Sequence, residues 1–181
     1  VHNVIEKYIA NDPDYLDGVM PHNIQTFKDI QRHIDENLNK VYSIEAPLYS
    51  KHLGVAGRVD CVGMWNGKDS IIDWKTSGAW GWRRDKKQDL GMTAQLILYK
   101  HFWAKKHNID LKDVRCAFIL LKRGGKPGKV CDIVKVSVGP KTYQKGIKLM
   151  RSMIKTVRRG MYLKNRNSCK FCPYLNTIHC K

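Results

Sequence analysis

The chain has 181 residues, and 33 Lys and Arg against 16 Asp and Glu give it a net charge of +17. An apolar content of 43% excludes wholesale disorder and suits one domain with its own core. No apolar run approaches the ~20 residues of a membrane-spanning helix. The excess of cations predicts a polyanionic partner, most often nucleic acid. A crowded solvated surface and a membrane surface are the alternatives.

The first half of the chain predicts two helices followed by three antiparallel strands. Apolar residues recur at helical spacing in the first two segments and alternate in the next three. Asn66-Gly67 is the strongest short-range signal for a two-residue hairpin turn, and it lies between the last two strands. The helices are predicted over 1–9 and about 23–38, and the strands over about 41–50, 54–64 and 69–75.

The second half predicts a basic loop, a helix, two strands and a last helix. Pro140 opens that last helix and Gly160 closes it. The order of elements predicts an α+β fold in one domain, 1–181, with a cysteine-rich tail, 165–181, packed on it. The loop is predicted over 76–89, the first helix over about 89–106, and the strands over about 114–122 and 129–138.

Two acids and a lysine lie in the predicted hairpin. Asp60 is in its first strand, and Asp73-Trp74-Lys75 closes the second. Because side chains alternate along a strand, Asp73 and Lys75 share one face of the sheet. Carboxylates in apolar strands are costly without a partner, and two of them suit Mg²⁺ or Mn²⁺. We therefore predict a divalent-metal site for phosphodiester cleavage, with Lys75 orienting or deprotonating the attacking water.

The loop after this strand alternates aromatic and cationic residues. Trp80, Trp82, Arg83 and Arg84 follow one another closely. Exposed indoles stack on bases while Arg side chains hold phosphates, which suits single-stranded DNA. The alternative is that one or both tryptophans fold back onto the core.

Closely spaced thiols near the end of the chain predict a second, structural metal site. Cys169-Lys170-Phe171-Cys172 is followed by His179-Cys180. Such thiolates bind Zn²⁺, with His179 as a further ligand, or an iron–sulfur cluster. Unligated thiols are the alternative.

The ordered set Gly57-x-x-Asp60, Asp73-x-Lys75 and Gln95-x-x-x-Tyr99, preceded by His2-Asn3-Val4-Ile5-Glu6, resembles the RecB-type branch of the PD-(D/E)XK nuclease superfamily. This branch includes the RecB and AddB nuclease domains, the CRISPR adaptation exonuclease, the mitochondrial genome maintenance exonuclease and phage exonucleases. The resemblance covers the chain from residue 2 to about 180. It implies a restriction-endonuclease-like αβββαβ core, with a mixed central sheet flanked by helices.

The resemblance also implies roles for individual residues. His2 and the backbone carbonyl of Trp74 would be further metal ligands, the imidazole favouring Mn²⁺. Glu45 matches an acid that assists the site, although a salt bridge at the strand edge is an equal alternative. Gln95 and Tyr99 share one helix face and would support the site and the substrate backbone, unless Tyr99 is simply core.

For the tail, the resemblance implies a [4Fe–4S] cluster with one upstream cysteine and three C-terminal ones. No cysteine precedes Cys61, and Cys172 and Cys180 are further apart than is common in the family. Because the chain begins at Val1, we leave open whether a missing ligand precedes it. The choice between cluster and zinc stays open as well.

The sequence therefore predicts a metal-dependent deoxyribonuclease, an exonuclease on single-stranded DNA ends in replication, recombination or repair. DNA is the expected partner rather than a membrane, within a replication or recombination complex. The N-terminus has no secretory signal, so we expect an intracellular protein of a bacterium, a phage-infected cell or an organelle. The alternatives are a structure-specific or nicking endonuclease, a catalytically silent binding module with the same fold, and a zinc-knuckle interaction protein.

Overall fold

The computed structural model describes residues 1–51, 53–82, 89–124, 126, 129–161, 169, 172–178 and 180. Backbone contacts divide the chain into two units, Val1–Leu149 and Met150–Lys181, and the sheet belongs to the first. No helix in the described ranges is long and apolar enough to cross a membrane. The elements are α1 (His2–Ile9), α2 (Pro21–Asn37), β1 (Leu38–Ser50), β2 (Val55–Trp65), β3 (Lys68–Ser77), α3 (Leu90–His107), a 3-10 helix (Leu111–Asp113), β4 (Arg115–Lys122), β5 (Cys131–Lys135) and α4 (Pro140–Arg158).

The sheet has five strands in the order β1-β2-β3-β4-β5. The β3–β4 pair is parallel, and the other three neighbouring pairs are antiparallel. Parallel neighbours need a crossover connection, and α3 lies in the segment that joins β3 to β4. This mixed sheet with helices confirms the predicted α+β, restriction-endonuclease-like fold. The last strand is shorter than predicted, since β5 covers only Cys131–Lys135.

The hairpin between β2 and β3 forms at the predicted turn. Trp65 and Lys68 are the last paired residues, so Asn66 and Gly67 are the two loop residues. Both have positive φ, 50° and 69°. That is the backbone a type I′ turn requires, and it matches the twist of the two strands. The turn fixes the register of β2 against β3, and with it the positions of the two acids.

The central strands are buried on both faces of the sheet. Ile71 and Phe118 belong to an apolar cluster that includes Leu96 of α3. Their neighbours in sequence, Ile72 and Ile119, belong to a second cluster that includes residues of α1 and α2. Because side chains alternate along β3 and β4, successive residues of these strands pack into two different apolar clusters. This is why Asp73 in β3 lies within apolar surroundings.

Candidate active site

The two predicted acids lie where β2 and β3 separate. The ladder between these strands ends at the pair Cys61–Ile72, and the same register places Asp60 opposite Asp73. There the Asp60 Oδ2 accepts a hydrogen bond from the backbone N–H of Trp74 at 2.8 Å. At this position the side-chain carboxylate of Asp60, rather than a backbone carbonyl of β2, accepts the hydrogen bond from β3. Because the N–H and C=O of a strand residue point to the same neighbouring strand, the Trp74 carbonyl is directed toward β2 as well.

Asp73 is a buried carboxyl with one oxygen left over. Its side chain is 1% exposed, and its Oδ2 lies 2.5 Å from the Nζ of Lys75. Its Oδ1 has no hydrogen-bond partner among the described residues. Burial raises the pKa of Asp73 to about 6, with the charge of Asp60 adding to the effect and the bond to Lys75 opposing it. A buried oxygen of this kind leaves a ligand position for a cation.

Lys75 is held beside this carboxyl and still reaches solvent. Its side chain is 26% exposed. The ammonium also lies 5.8 Å from the ring centroid of Phe118, a cation–π distance that restricts its position. Lys75 and Asp73 therefore lie on the same face, as predicted from the alternation along the strand.

Helix α1 brings two further groups toward the acids. His2 lies near Asp60, whose charge raises the pKa of the imidazole, although burial outweighs it and lowers the pKa. Glu6, one helical turn later, lies near the carboxyl of Glu45. Burial, the nearby carboxyl of Glu45 and the charge of Asp60 raise the pKa of Glu6 to about 7. Sequence reasoning gave Glu6 no role, although its i, i+4 spacing from His2 already placed the two on one helix face.

Glu45 makes the salt bridge that the sequence left as one of two alternatives, and its role as an acid that assists the site stays a prediction. It lies opposite Asp60, between the pairs Ile44–Cys61 and Ala46–Val59. Its Oε2 is 3.2 Å from a guanidinium nitrogen of Arg58, and its carboxyl lies near Glu6. The backbone of Glu45 has φ of 49°, a strained value for a residue with a side chain. The strand is distorted at the point where it presents this acid.

Gln95 and Tyr99 stand together on α3, as their spacing predicted. The Gln95 Nε2 donates to the Tyr99 hydroxyl at 2.9 Å. Burial raises the pKa of Tyr99, and the charges of Asp73 and Asp60 add to this rise, so the phenol lies near both acids. A Cβ on Gly57 would stand 3.0 Å from the Tyr99 ring. The glycine of the G-x-x-D motif therefore makes room for this tyrosine.

The two tryptophans of the basic loop have different positions. Trp82 is buried, with its ring 5.2 Å from Phe118, so it is core and is removed from the surface available for stacking. Trp80 is 97% exposed. It lies in a tight turn in which the N–H of Gly81 donates to the carbonyl of Gly78 at 3.0 Å. Arg83 and Arg84 lie outside the described residues.

The cysteine tail is described only in part. The N–H of Cys172 donates to the carbonyl of Cys169 at 3.0 Å, which makes a turn between these two residues. Both thiols and that of Cys180 are half-buried, and His179 lies outside the described residues. In the part of the chain that the structure describes, no three His, Cys, Asp or Glu side chains form a group that could hold a metal ion. This absence includes the surroundings of Asp60 and Asp73, so the metal sites of the tail and of the acids both stay predictions.

A mixed sheet that opens at two acids beside a lysine defines a nuclease-like α+β protein. The family model of the PD-(D/E)XK nuclease superfamily matches residues 4–177, so the chain belongs to that superfamily. The family supports nuclease activity on a nucleic-acid substrate, and its members generally use divalent metals such as Mg²⁺.

The chain is similar to two solved structures, of which the first supports the fold. A protein of Eubacterium rectale described as a "Putative exonuclease" aligns over 98% of this chain and 73% of its own, at 14% identity and a TM-score of 0.59. The protein SSO0001 aligns over 96% of this chain and 76% of its own, also at 14% identity, with a TM-score of 0.39. No curated protein matches the chain by sequence.

Proposed function

We propose that this nuclease is a metal-dependent deoxyribonuclease that removes nucleotides from the ends of single-stranded DNA. The observation that carries the proposal is the buried Asp73 carboxyl, which faces Asp60 and contacts Lys75 while one of its oxygens has no described partner. A buried carboxylate oxygen without a partner is costly, and a cation bound there would complete the arrangement.

The donors fit Mg²⁺ or Mn²⁺. Mg²⁺ is usually bound through one or two carboxylates and keeps several waters. Asp60, Asp73 and the carbonyl of Trp74 would hold the ion, with His2 as a nitrogen donor that favours Mn²⁺. The bound ion would polarise the scissile phosphate and lower the pKa of the attacking water.

The residues of the chain supply the remaining steps. The Lys75 ammonium, fixed by Asp73 and Phe118, orients the attacking water and offsets the negative charge that develops on the phosphate. The raised pKa of Glu6, about 7, means that this carboxyl holds a proton more readily than an exposed one, which limits the negative charge of the acidic cluster before a cation binds. Gln95 fixes the Tyr99 hydroxyl at the side of the site.

The preference for single strands rests on Trp80. A fully exposed indole is unusual in a folded protein, and this one lies only a few residues beyond Lys75 in the chain. Stacking of an unpaired base on such a ring contributes about 1–3 kcal/mol and needs no particular sequence. The net charge of +17 attracts the phosphate backbone. Single-stranded ends arise in replication, recombination and repair, and we place the enzyme in those processes.

The test is digestion of end-labelled single- and double-stranded DNA with Mg²⁺, Mn²⁺ or EDTA. We expect metal-dependent loss of terminal nucleotides from single strands, which Asp73→Asn abolishes. Asp69→Asn is the matched control, because this exposed carboxylate lies on the same strand and contacts only Tyr42 in the described residues. Cleavage of circular single-stranded DNA would show that the enzyme is an endonuclease rather than an exonuclease. Salt-sensitive binding without any cleavage would show that the protein is a binding module rather than an enzyme.

For the tail, we propose a structural metal held by Cys169, Cys172 and Cys180, with His179 or a residue beyond the sequence as the fourth ligand. The half-buried thiols and the turn between the first two support it. Purified protein that absorbs near ~400 nm would identify an iron–sulfur cluster, and colourless protein with one equivalent of zinc would identify a zinc site. Protein with neither would overturn this part of the proposal.

A further inference from the structure

A cleft of about 440 Å³ lies at the end of the sheet where β3 and β4 begin. It is lined by four cationic side chains and, among the described residues, by no acidic one. Its volume lies within the range of roughly 300–1,000 Å³ that is typical of small-molecule sites. The four cations are Lys100, Lys112, Arg115 and Lys135.

Lys100 carries the argument, because it is a largely buried lysine of α3 that lines the cleft and has no ion pair to any described residue. Its exposure is 6%. Asp110 lies near Lys100, but it is paired to Lys112 at 3.1 Å, and its interaction with Lys100 is only a minor one. A recessed lysine that no described carboxylate neutralises is a donor for an anion that enters the cleft.

The rim of the cleft adds donors that suit an anion with several oxygens. Arg115 and Lys135 are exposed side chains at the start of β4 and the end of β5. Ser70 is the cross-strand neighbour of Arg115, and Ser137 and Asn66 complete the polar lining. A guanidinium, ammonium groups and hydroxyls around a pocket make the donor set that phosphate oxygens bind.

We propose that this cleft is a phosphate-monoester site, distinct from the acidic site on the other part of β3. A monoester is favoured over a backbone diester because it carries up to two negative charges, and because a terminal phosphate reaches a recessed lysine more readily than a phosphate within a backbone. The ligand is either inorganic phosphate or a nucleoside monophosphate. A nucleoside monophosphate is the kind of molecule that the proposed nuclease releases, and this identification of the ligand rests on the proposed function.

The test is titration calorimetry in EDTA, where no cleavage occurs, so that the result does not depend on nuclease activity. The probes are inorganic phosphate, deoxythymidine 5′-monophosphate, and a short single-stranded oligonucleotide without a terminal phosphate. The variants are Lys100→Met, whose apolar chain suits a buried position, and Arg115→Gln at the exposed rim. Lys105→Gln is the matched control, since it removes an exposed lysine of α3 that does not line the cleft. The Asp73→Asn variant tests whether the monoester binds independently of the acidic site.

We expect one equivalent of a monoester to bind to the wild type, to Asp73→Asn and to Lys105→Gln. The affinity should fall at least about tenfold in Lys100→Met and in Arg115→Gln, because each loses a charge-assisted contact. Tighter binding of the nucleotide than of inorganic phosphate would identify a nucleotide site, and equal binding would identify a site for the phosphate alone. Binding of the oligonucleotide alone, or affinities that both cleft variants leave unchanged, would overturn the proposal.

Discussion

The two parts of strand β3 present electrostatic problems of opposite sign. Near its C-terminal end, the Asp73 carboxyl is buried with a single described cationic neighbour and an oxygen left over. Near its start, Ser70 borders a cleft in which the buried Lys100 has no described acidic partner. One region lacks a positive charge and the other lacks a negative one.

This comparison shows how a strongly basic chain can bind ions of both signs. The net charge of +17 attracts anions everywhere on the surface, yet it does not decide where a cation binds. The place where a cation binds depends on burial, because desolvation penalises a buried charge that has no partner. The comparison therefore predicts that changes in the two regions have separable effects.

The largest effect should come from Lys75→Met, which removes the cation beside the acids. We expect cleavage of end-labelled single-stranded DNA to slow by about 10²–10⁴-fold, the range for loss of a positioned acid–base or charge-stabilising group. Lys68→Met, an exposed change at the start of the same strand, should leave the rate within about twofold. Equal rates in the wild type and in Lys75→Met would remove Lys75 from the mechanism.

The two tryptophans after β3 should respond in opposite ways. Trp82→Ala is expected to lower the free energy of unfolding by about 3–5 kcal/mol, because it empties a buried site against Phe118. Trp80→Ala should change stability by less than about 0.5 kcal/mol but weaken binding of single-stranded DNA by about 1–3 kcal/mol. Urea unfolding and a binding titration measure the two quantities. Unchanged DNA binding in Trp80→Ala would exclude this indole as a stacking surface.

The next two changes neutralise the two buried residues compared above, Asp73 and Lys100. Burial raises the pKa of Asp73 to about 6, above its value near ~3.9 in the unfolded chain. The native state therefore holds the proton more tightly, and stability falls as pH rises from about 4 to about 6. Asp73→Asn removes this loss, so in EDTA the variant should be more stable than the wild type by roughly 1–3 kcal/mol above pH 6, with the advantage shrinking toward pH 4.

Lys100→Met makes the corresponding change in the cleft. In phosphate-free buffer it should also stabilise the fold, because it replaces a largely buried lysine by an apolar side chain of similar length. Added phosphate should raise the melting temperature of the wild type but not of this variant. Thermal unfolding in both buffers, across pH 4 to 8, checks the pair. Destabilisation by either neutralisation would show that the described surroundings already satisfy that charge.

The smallest effect concerns Gly57, where the acidic region meets α3. An added Cβ would stand 3.0 Å from the Tyr99 ring, so Gly57→Ala should cost about 1 kcal/mol of stability and a severalfold loss of kcat. Tyr99→Phe keeps the ring but removes the hydrogen bond from Gln95, so it distinguishes the effect of ring packing from the effect of the hydroxyl group. A fully active Gly57→Ala would mean that the tyrosine moves without affecting the acids.

The sequence was most informative where structure is local. Asn66-Gly67 predicted the turn, the turn fixed the register, and the register set Asp60 opposite Asp73. The alternation along β3 put Lys75 on the same face as Asp73. The helices and strands were predicted closely because their periodicity is a short-range property.

Other features depended on contacts between distant segments. Glu6 gained its place in the acidic cluster only because α1 packs near β1, which no local pattern encodes. The sequence could not distinguish Trp80 from Trp82, since both follow the same strand. The cationic cleft joins residues from α3, β4 and β5 that look like ordinary surface lysines and arginines in the sequence.

The sequence by itself determined the superfamily, the α+β order of elements and the pair of acids with their lysine, because hairpin register and strand alternation are local geometry. Only the tertiary structure decided which charges are buried without partners. Burial and desolvation depend on what the rest of the chain places around a side chain, and for Asp73 and Lys100 that surrounding comes from helices and strands far away in the sequence.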